Sequence, residues 1–284
     1  MPVFSGSDLG DILEGKEQDD VLYGLRFSDF LYGKQGDDIL VGGTDGQIDM
    51  LFGGAGFDTA AYFNTYVDLT INLNTGVAFQ TASGVVEDNF FSIENVIGGE
   101  ANDRIIGNKY DNELSGSNGD DVIYGREGND RLNGDSGNDA LFGGIGEDVL
   151  NGGRGKDDLT GGADRDVMTG GRETDTFHFT DLSHFVAGSS KNDLDFITDF
   201  EKGVDVIDLS DVDADTGVLG NQAFAIVEKF SGQAGELSEI KSLSTNDAQI
   251  WGGDVDGDGS ADFMLAVNII GGNQQQLEAS DFLL

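Results

Sequence analysis

Gly143-Gly144-Ile145-Gly146-Glu147-Asp148-Val149-Leu150-Asn151 is one complete copy of the unit Gly-Gly-x-Gly-x-Asp-x-apolar-x. From Gly98 to His178 this unit recurs nine times in phase, without an insertion. Its sixth position holds Asp103, Asp121, Asp130, Asp139, Asp148, Asp157, Asp166 and Asp175, with Asn112 the single lapse. Its eighth position holds Ile105, Leu114, Ile123, Leu132, Leu141, Leu150, Leu159, Met168 and Phe177. A fixed period this short marks a solenoid and decides the fold.

Glycine serves where φ must be positive or where no Cβ fits, so three glycines in six residues describe a tight turn. The closing x-apolar-x suits a very short strand that sends one side chain inward. Two units make one coil, and coils stacked at roughly 4.8 Å would give a rod about 20 Å long. One edge of the rod is expected to carry Asp121, Asp139, Asp157 and Asp175, and the other Asp103, Asp130, Asp148 and Asp166.

A column of carboxylates a few ångströms apart repels itself unless cations lie between. Oxygen-only ligands in a flexible loop suit calcium, which takes six to eight oxygens at roughly 2.3–2.6 Å. Magnesium wants a stricter octahedron, and two histidines and no cysteine argue against zinc or copper. Ordinary hairpin turns would explain one or two such units, not nine in phase.

These units resemble the RTX (repeats-in-toxin) calcium-binding nonapeptide. The resemblance implies an all-β fold: a parallel β-roll, a calcium-stacked β-solenoid, with each ion shared between successive turns. It also implies side-chain ligation by the eight aspartates above, and weakly if at all by Asn112. Turn ligation would fall to Gly116, Gly119, Gly125, Gly128, Gly134, Gly137, Gly143, Gly144, Gly146, Gly152, Gly153, Gly155, Gly161 and Gly162.

A second, less regular array opens the chain, with units at Gly6, Gly15, Gly24, Gly33, Gly42 and Gly53. Their aspartates are Asp11, Asp20, Asp29, Asp38, Asp49 and Asp58, of which Asp11, Asp20, Asp38 and Asp58 are assigned as ligands. The Gly42 unit is eleven residues long, and Leu25-Arg26-Phe27 displaces glycines where a tight turn is wanted, so that site is the weakest expectation. Outward positions here are apolar, at Val21, Tyr23, Phe30, Tyr32, Ile39 and Val41, where the long array has Arg104, Glu113, Arg131, Asn133 and Asp158. Such a stripe is either a partner surface or is covered by residues 62–97, and the cover is the favoured expectation.

The formal charge is −39, from 54 acidic and 15 basic side chains, with 45 glycines. Without metal such a chain cannot offset its ordering entropy and is expected to be disordered. With metal it should fold, since binding confined to the folded state is folding free energy. About ten calcium ions, one per well-formed site, would cancel roughly half the charge. Nucleic acid is excluded as a partner for so acidic a surface. Cysteine is absent, which fits an extracellular protein stabilised by metal. Met1-Pro2-Val3-Phe4-Ser5-Gly6-Ser7-Asp8 has no basic or apolar leader, so no cleaved signal peptide is expected. No run approaches a membrane span of ~20 apolar residues.

After Phe179 the nonapeptide stops. Asp195-Phe196-Ile197-Thr198-Asp199-Phe200 and Asp205-Val206-Ile207-Asp208-Leu209 alternate as half-buried strands do. They resemble the β-rich C-terminal region that caps the roll in serralysin-type secreted proteases. Asp254-Val255-Asp256-Gly257-Asp258-Gly259 with Asp262 echoes half of an EF-hand loop, but the twelfth position is Leu265. A calcium site outside the roll and a simple acidic turn are equally open there. The ending Ala279-Ser280-Asp281-Phe282-Leu283-Leu284 resembles an uncleaved type I signal for ABC-type export machinery. The expected organisation is a first array at 1–61, an intervening strand segment at 62–97, the regular roll at 98–178 and a C-terminal cap at 179–284.

No His-Glu-x-x-His helix, cysteine nucleophile or Gly-x-Ser-x-Gly elbow occurs, and His178 and His184 read as surface residues, so no catalysis is expected. Trp251 is expected to pack in the cap. A roll, cap and export tail without a catalytic passenger resembles secreted rhizobial nodulation proteins. That likeness implies a signalling role through cation-selective pores in host plasma membrane. The competing expectation is a calcium-rigidified protein that binds a cell surface or acidic polysaccharide.

Overall fold

A computed structural model describes residues 1–180, 194–215, 217, 222–243, 248–270 and 276–284; His184 lies outside them. The chain divides into two compact units, Met1–Ala140 and Leu141–Leu284. Among the described residues the fold is all-β apart from one short 3-10 turn at Ala279–Asp281.

The first unit holds β1 (Val3–Ser5), β2 (Ile12–Glu14), β3 (Val21–Tyr23), β4 (Phe30–Gln35), β5 (Ile39–Val41), β6 (Asp49–Ala55), β7 (Thr59–Ala61), β8 (Leu69–Asn72), β9 (Val77–Gln80), β10 (Val86–Phe91), β11 (Asn95–Ile97), β12 (Arg104–Ile106), β13 (Glu113–Asn118), β14 (Val122–Glu127) and β15 (Arg131–Ser136). Apart from β8, β9 and β10, successive strands alternate between two sheets, ordered β1-β3-β5-β7-β11-β13-β15 and β2-β4-β6-β10-β9-β8-β12-β14. This is the expected β-roll. Parallel neighbours stack equivalent residues, Leu22 on Leu40 and Leu114 on Leu132. These eighth-position side chains form the core, with Leu22, Leu31, Leu40, Ile105, Leu114, Ile123 and Leu132 all at 0% exposure.

Strands β13, β14 and β15 of the long array run six residues, while β12 keeps the expected three. Pairing continues past the apolar residue into the turn, where Ser117 faces Asp135 and Asn118 faces Ser136.

Residues 62–97 enter the two sheets unequally. The first sheet gains only β11, parallel to β7 with Val96 opposite Ala60. The second gains three strands, with β10 parallel to β6, β8 parallel to β12, and antiparallel pairs between. The segment also covers part of the apolar stripe. Phe91 stacks on Phe52 at 4.6 Å, and Phe52 on Tyr32 at 4.7 Å. Phe63 and Asn64 line, with Tyr23 and Val41, a cleft of about 590 Å³. Val21, Tyr23, Tyr32, Ile39 and Val41 are half-buried, while Phe30 stays exposed.

The second unit holds β16 (Ala140–Ile145), β17 (Val149–Arg154), β18 (Asp158–Ala163), β19 (Val167–Arg172), β20 (Thr176–His178), β21 (Asp195–Glu201), β22 (Val206–Asp208), β23 (Ala225–Ile226), β24 (Glu236–Leu243), β25 (Ala248–Asp254), β26 (Phe263–Ile270) and β27 (Phe282–Leu283). Its sheets run β17-β19-β21-β26-β25-β24-β23 and β16-β18-β20-β22-β27. The roll therefore continues beyond the nonapeptides: Phe196 lies opposite Val167, Ile207 opposite Phe177, and Phe282 opposite Ile207. Strands β24, β25 and β26 make an antiparallel meander that extends one sheet beyond β21. Trp251 is 4% exposed and packs 5.0 Å from Phe282, inside the cap as expected. His178 is more engaged than a free surface residue, with Nδ1 3.1 Å from Asp208 and Nε2 3.4 Å from Asp158. No helix among the described residues is long and apolar enough to cross a membrane.

Candidate metal centres

The three glycines of a unit answer two different demands. The second and fourth positions take positive φ, as at Gly144 (121°) and Gly146 (132°). The first position does not. A methyl group added at Gly98 would sit 2.5 Å from the Gly116 carbonyl oxygen and 2.9 Å from Asp103 Oδ2. First-position glycine is therefore a steric requirement, set by two oxygens that converge on it. Gly116, Gly125, Gly134, Gly143, Gly152 and Gly161 of this class are buried. Gly119, Gly128, Gly137, Gly144, Gly146, Gly153, Gly155 and Gly162, at the other two positions, are half-exposed.

The sixth-position carboxylates lie inside these turns. Asp103, Asp121, Asp130, Asp139, Asp148, Asp157, Asp166 and Asp175 are 0–2% exposed, as are Asp20, Asp38 and Asp58. Asp11, in the first coil, is half-buried. Beyond the first coil, one carboxylate oxygen serves the coil before it. Asp121 Oδ1 accepts the Asp103 N–H at 2.6 Å, and Asp139 Oδ1 accepts that of Asp121 at 2.8 Å. The same bond joins Asp166 to Asp148, Asp175 to Asp157, Asp29 to Asp11, Asp38 to Asp20 and Asp58 to Asp38. These bonds correct the expected edges. Asp103 stands with Asp121 and Asp139, because a coil takes eighteen residues; it does not stand with Asp130, whose partner is Asn112.

At five of these aspartates the other oxygen is left without a donor, whereas Asp103 Oδ2 accepts the Gly99 N–H at 2.8 Å. Oδ2 of Asp29, Asp38, Asp58, Asp121 and Asp166 is buried and accepts no hydrogen bond. Burial, the largest cause, pushes Asp103 and Asp130 up to about 6, Asp58 and Asp175 to about 7, Asp121 to about 8 and Asp166 to about 9; neighbouring carboxylates add to the shift of Asp121 and Asp166. Burying an acceptor beside other acceptors is costly unless a cation or a proton lies between them. Carboxylate and carbonyl oxygens alone, in glycine turns, form a donor set that fits calcium.

The lapse at Asn112 has a physical counterpart. Its Nδ2 donates to the Glu94 carbonyl at 2.7 Å, and its Oδ1 accepts the Asn108 N–H at 2.9 Å. The amide thus brings its own proton donor to the turn. Asn112→Asp is expected to add one bound calcium per chain by calorimetric titration. At tenfold excess over Kd that ion would stabilise the fold by about 1.4 kcal/mol. An unchanged ion count would mean that the turn cannot accept a cation.

Several residues that the repeat pattern did not assign occupy equivalent places. Asp29 is one, buried in a turn where Leu25 (φ 83°) and Phe27 (φ 69°) adopt the left-handed backbone that glycine would take without strain. The turn forms there with backbone strain at both residues. Glu94 Oε2 accepts the Asp58 N–H at 3.0 Å. Asp195 Oδ1 accepts that of Asp166 at 2.9 Å, and Asp205 Oδ1 that of Asp175 at 3.1 Å. The signal was the triplet Asp-x-Ile at Asp195–Ile197 and Asp205–Ile207, with the spacing lost.

Outside the roll, Asp254, Asp256 and Asp262 bring carboxylate oxygens within 4.8 Å of one another. Asp254 accepts the N–H groups of Gly257 and Gly259, and Asp262 accepts those of Val255 and Asp256, so the loop's amides already engage these carboxylates.

Residues 44–284 match the family model described as peptidase M10 serralysin C terminal, and residues 14–46 match that of the RTX calcium-binding nonapeptide repeat (four copies). No curated protein matches the chain. Among solved structures, the R3 subunit of the Azotobacter vinelandii mannuronan C5-epimerase AlgE6 is 22% identical over 66% of this chain and 80% of its own, with a TM-score of 0.28. The extracellular lipase LipA of Serratia marcescens is 14% identical over 97% of this chain and 40% of its own, with a TM-score of 0.25.

Proposed function

Since the chain belongs to the peptidase M10 serralysin C-terminal family, we propose that it is exported through ABC-type type I machinery and works outside the cell as a calcium-folded binding scaffold without catalysis. It is a secreted, calcium-binding protein whose nonapeptide repeats hold several ions. The observation that carries the reading is the row of buried carboxylate oxygens without donors, facing carbonyls at first-position glycines. Such turns close only where calcium is plentiful, so the chain stays open in the cytosol and compact outside.

The alternative of cation-selective pores in host plasma membrane, with a nodulation role, draws on the outward apolar stripe. Stacking of Tyr32, Phe52 and Phe91 ring on ring takes part of that stripe away from lipid and favours calcium-dependent surface binding. In a host carrying a type I exporter, the full chain is expected in the medium with its C-terminus intact. A chain lacking Asp281–Leu284 is expected to remain in the cells. Equal export of both would remove the tail from the reading.

A further inference from the structure

At several first-position glycines two oxygens meet: Oδ2 of the unit's own aspartate and a backbone carbonyl from the next coil. At Gly15 these belong to Asp20 and Gly33, at Gly24 to Asp29 and Gly42, at Gly53 to Asp58 and Ser92, and at Gly98 to Asp103 and Gly116. Gly42 departs from the rule. Asp49 Oδ2 is in its usual place, but the second oxygen is Oδ1 of Asp88, a side chain standing where the turns at Gly15, Gly24, Gly53 and Gly98 have a carbonyl.

Strand β10 puts it there. It runs parallel to β6 with Asp88 directly opposite Asp49, although the two lie far apart in sequence. Asp88 is 0% exposed. Its Oδ2 accepts the Tyr62 hydroxyl at 2.6 Å, and its Oδ1, aimed at Gly42 and Asp49, has no hydrogen-bond donor. Asp49 uses Oδ1 to accept the Asp29 N–H at 2.8 Å, which leaves Oδ2 facing Asp88. Two buried carboxylates so placed cannot both ionise without a partner.

We infer that Asp49 and Asp88 hold a calcium ion between them, at a site that the inserted segment builds and the nonapeptide does not encode. The inference rests on the calcium reading above and extends it to a site of different composition. Two carboxylates in place of one carboxylate and a carbonyl raise the ligand charge, and ligand charge is a main determinant of calcium affinity. The site should therefore fill before the repeat turns, and it would tie β10 to β6.

The rival is a proton shared by the two acids, which burial favours: it raises Asp49 to about 7 and Asp88 well above the usual range. Asp88→Asn separates the two. The amide keeps an acceptor for Tyr62 and mimics the protonated acid, but it cannot supply the charge. Calorimetric calcium titration of the full chain is expected to show one ion fewer in Asp88→Asn and in Asp49→Asn than in the unaltered protein, and an unchanged number in Tyr62→Phe. An equal count in Asp88→Asn and the unaltered protein would overturn the inference and leave the calcium reading intact, whereas an unaltered protein that binds none would remove both. Should the variants fail to fold, terbium-soaked crystals of the unaltered chain decide: anomalous density between Asp49 and Asp88 supports the site, and its absence while the repeat turns are filled overturns it.

Discussion

In excess chelator at about neutral pH the protein is expected to lose its β-sheet circular dichroism and its thermal transition, and to regain both when calcium is restored. A site held at a hundredfold excess over Kd stabilises the folded state by about 2.7 kcal/mol, so even ~4 such sites match the roughly 5–15 kcal/mol that separates a typical fold from its unfolded chain. Removing the ions also leaves −39 formal charges on a chain with 45 glycines, where self-repulsion and backbone entropy act together. The pH dependence of the metal-free chain has a definite sign. Asp103, Asp130 and Asp205 are raised to about 6 in the fold, Asp49, Asp58, Asp175 and Asp195 to about 7, Asp121 to about 8 and Asp166 to about 9. Folded values above the unfolded value of ~3.9 mean that the folded state binds more protons, so their stabilisation is full below ~4 and is lost as pH rises through the folded values. Chelator-treated protein should therefore recover sheet structure near pH 4 and lose it on titration towards pH 8. Full order and unchanged heat resistance in chelator at neutral pH would remove the metal from the account of the fold.

The roll was legible in the sequence because its two demands are periodic. A buried apolar residue every ninth position and glycine where two oxygens converge leave a pattern that no side-chain detail obscures. What was lost was lost with the period. The roll continues through Asp195 and Asp205, but these follow their ladder partners Asp166 and Asp175 by 29 and 30 residues, so the eighteen-residue spacing is hidden while the hydrogen bond survives. Glu94 escaped notice because its unit carries no glycine and a longer acid. Asp88 left no local trace at all, since its role arises from parallel pairing with a strand 39 residues earlier. The left-handed backbone at Leu25 and Phe27 was legible as a demand, since the repeat calls for glycine in that turn, but not that these residues would meet it.

The first and second positions of the repeat turns should respond to glycine with opposite signs. A methyl group at Gly116 would lie 2.7 Å from Asp121 Cγ and 2.9 Å from its Cβ, against the carboxylate that the turn holds in place. Neither can withdraw without breaking the bond from the Asp103 N–H to Asp121 Oδ1. Overpacking of this kind costs roughly 1–3 kcal/mol, and displacing Asp121 should release the neighbouring ion, worth a further ~2.7 kcal/mol at hundredfold excess. Gly116→Ala is thus expected to lower stability in urea at saturating calcium by about 4–6 kcal/mol and to bind at least one ion fewer. At the second position the demand is conformational. Arg126 holds φ at 93° with its side chain exposed, and the left-handed region costs a non-glycine residue about 1–2 kcal/mol. Arg126→Gly removes that strain and leaves the turn's oxygens in place, so it is expected to stabilise the protein by about 1 kcal/mol at an unchanged ion count. If Gly116→Ala were as stable as the unaltered chain, the first-position glycine would be there for flexibility and not for the convergence of oxygens, and the calcium centre built on that convergence would lose its geometric basis.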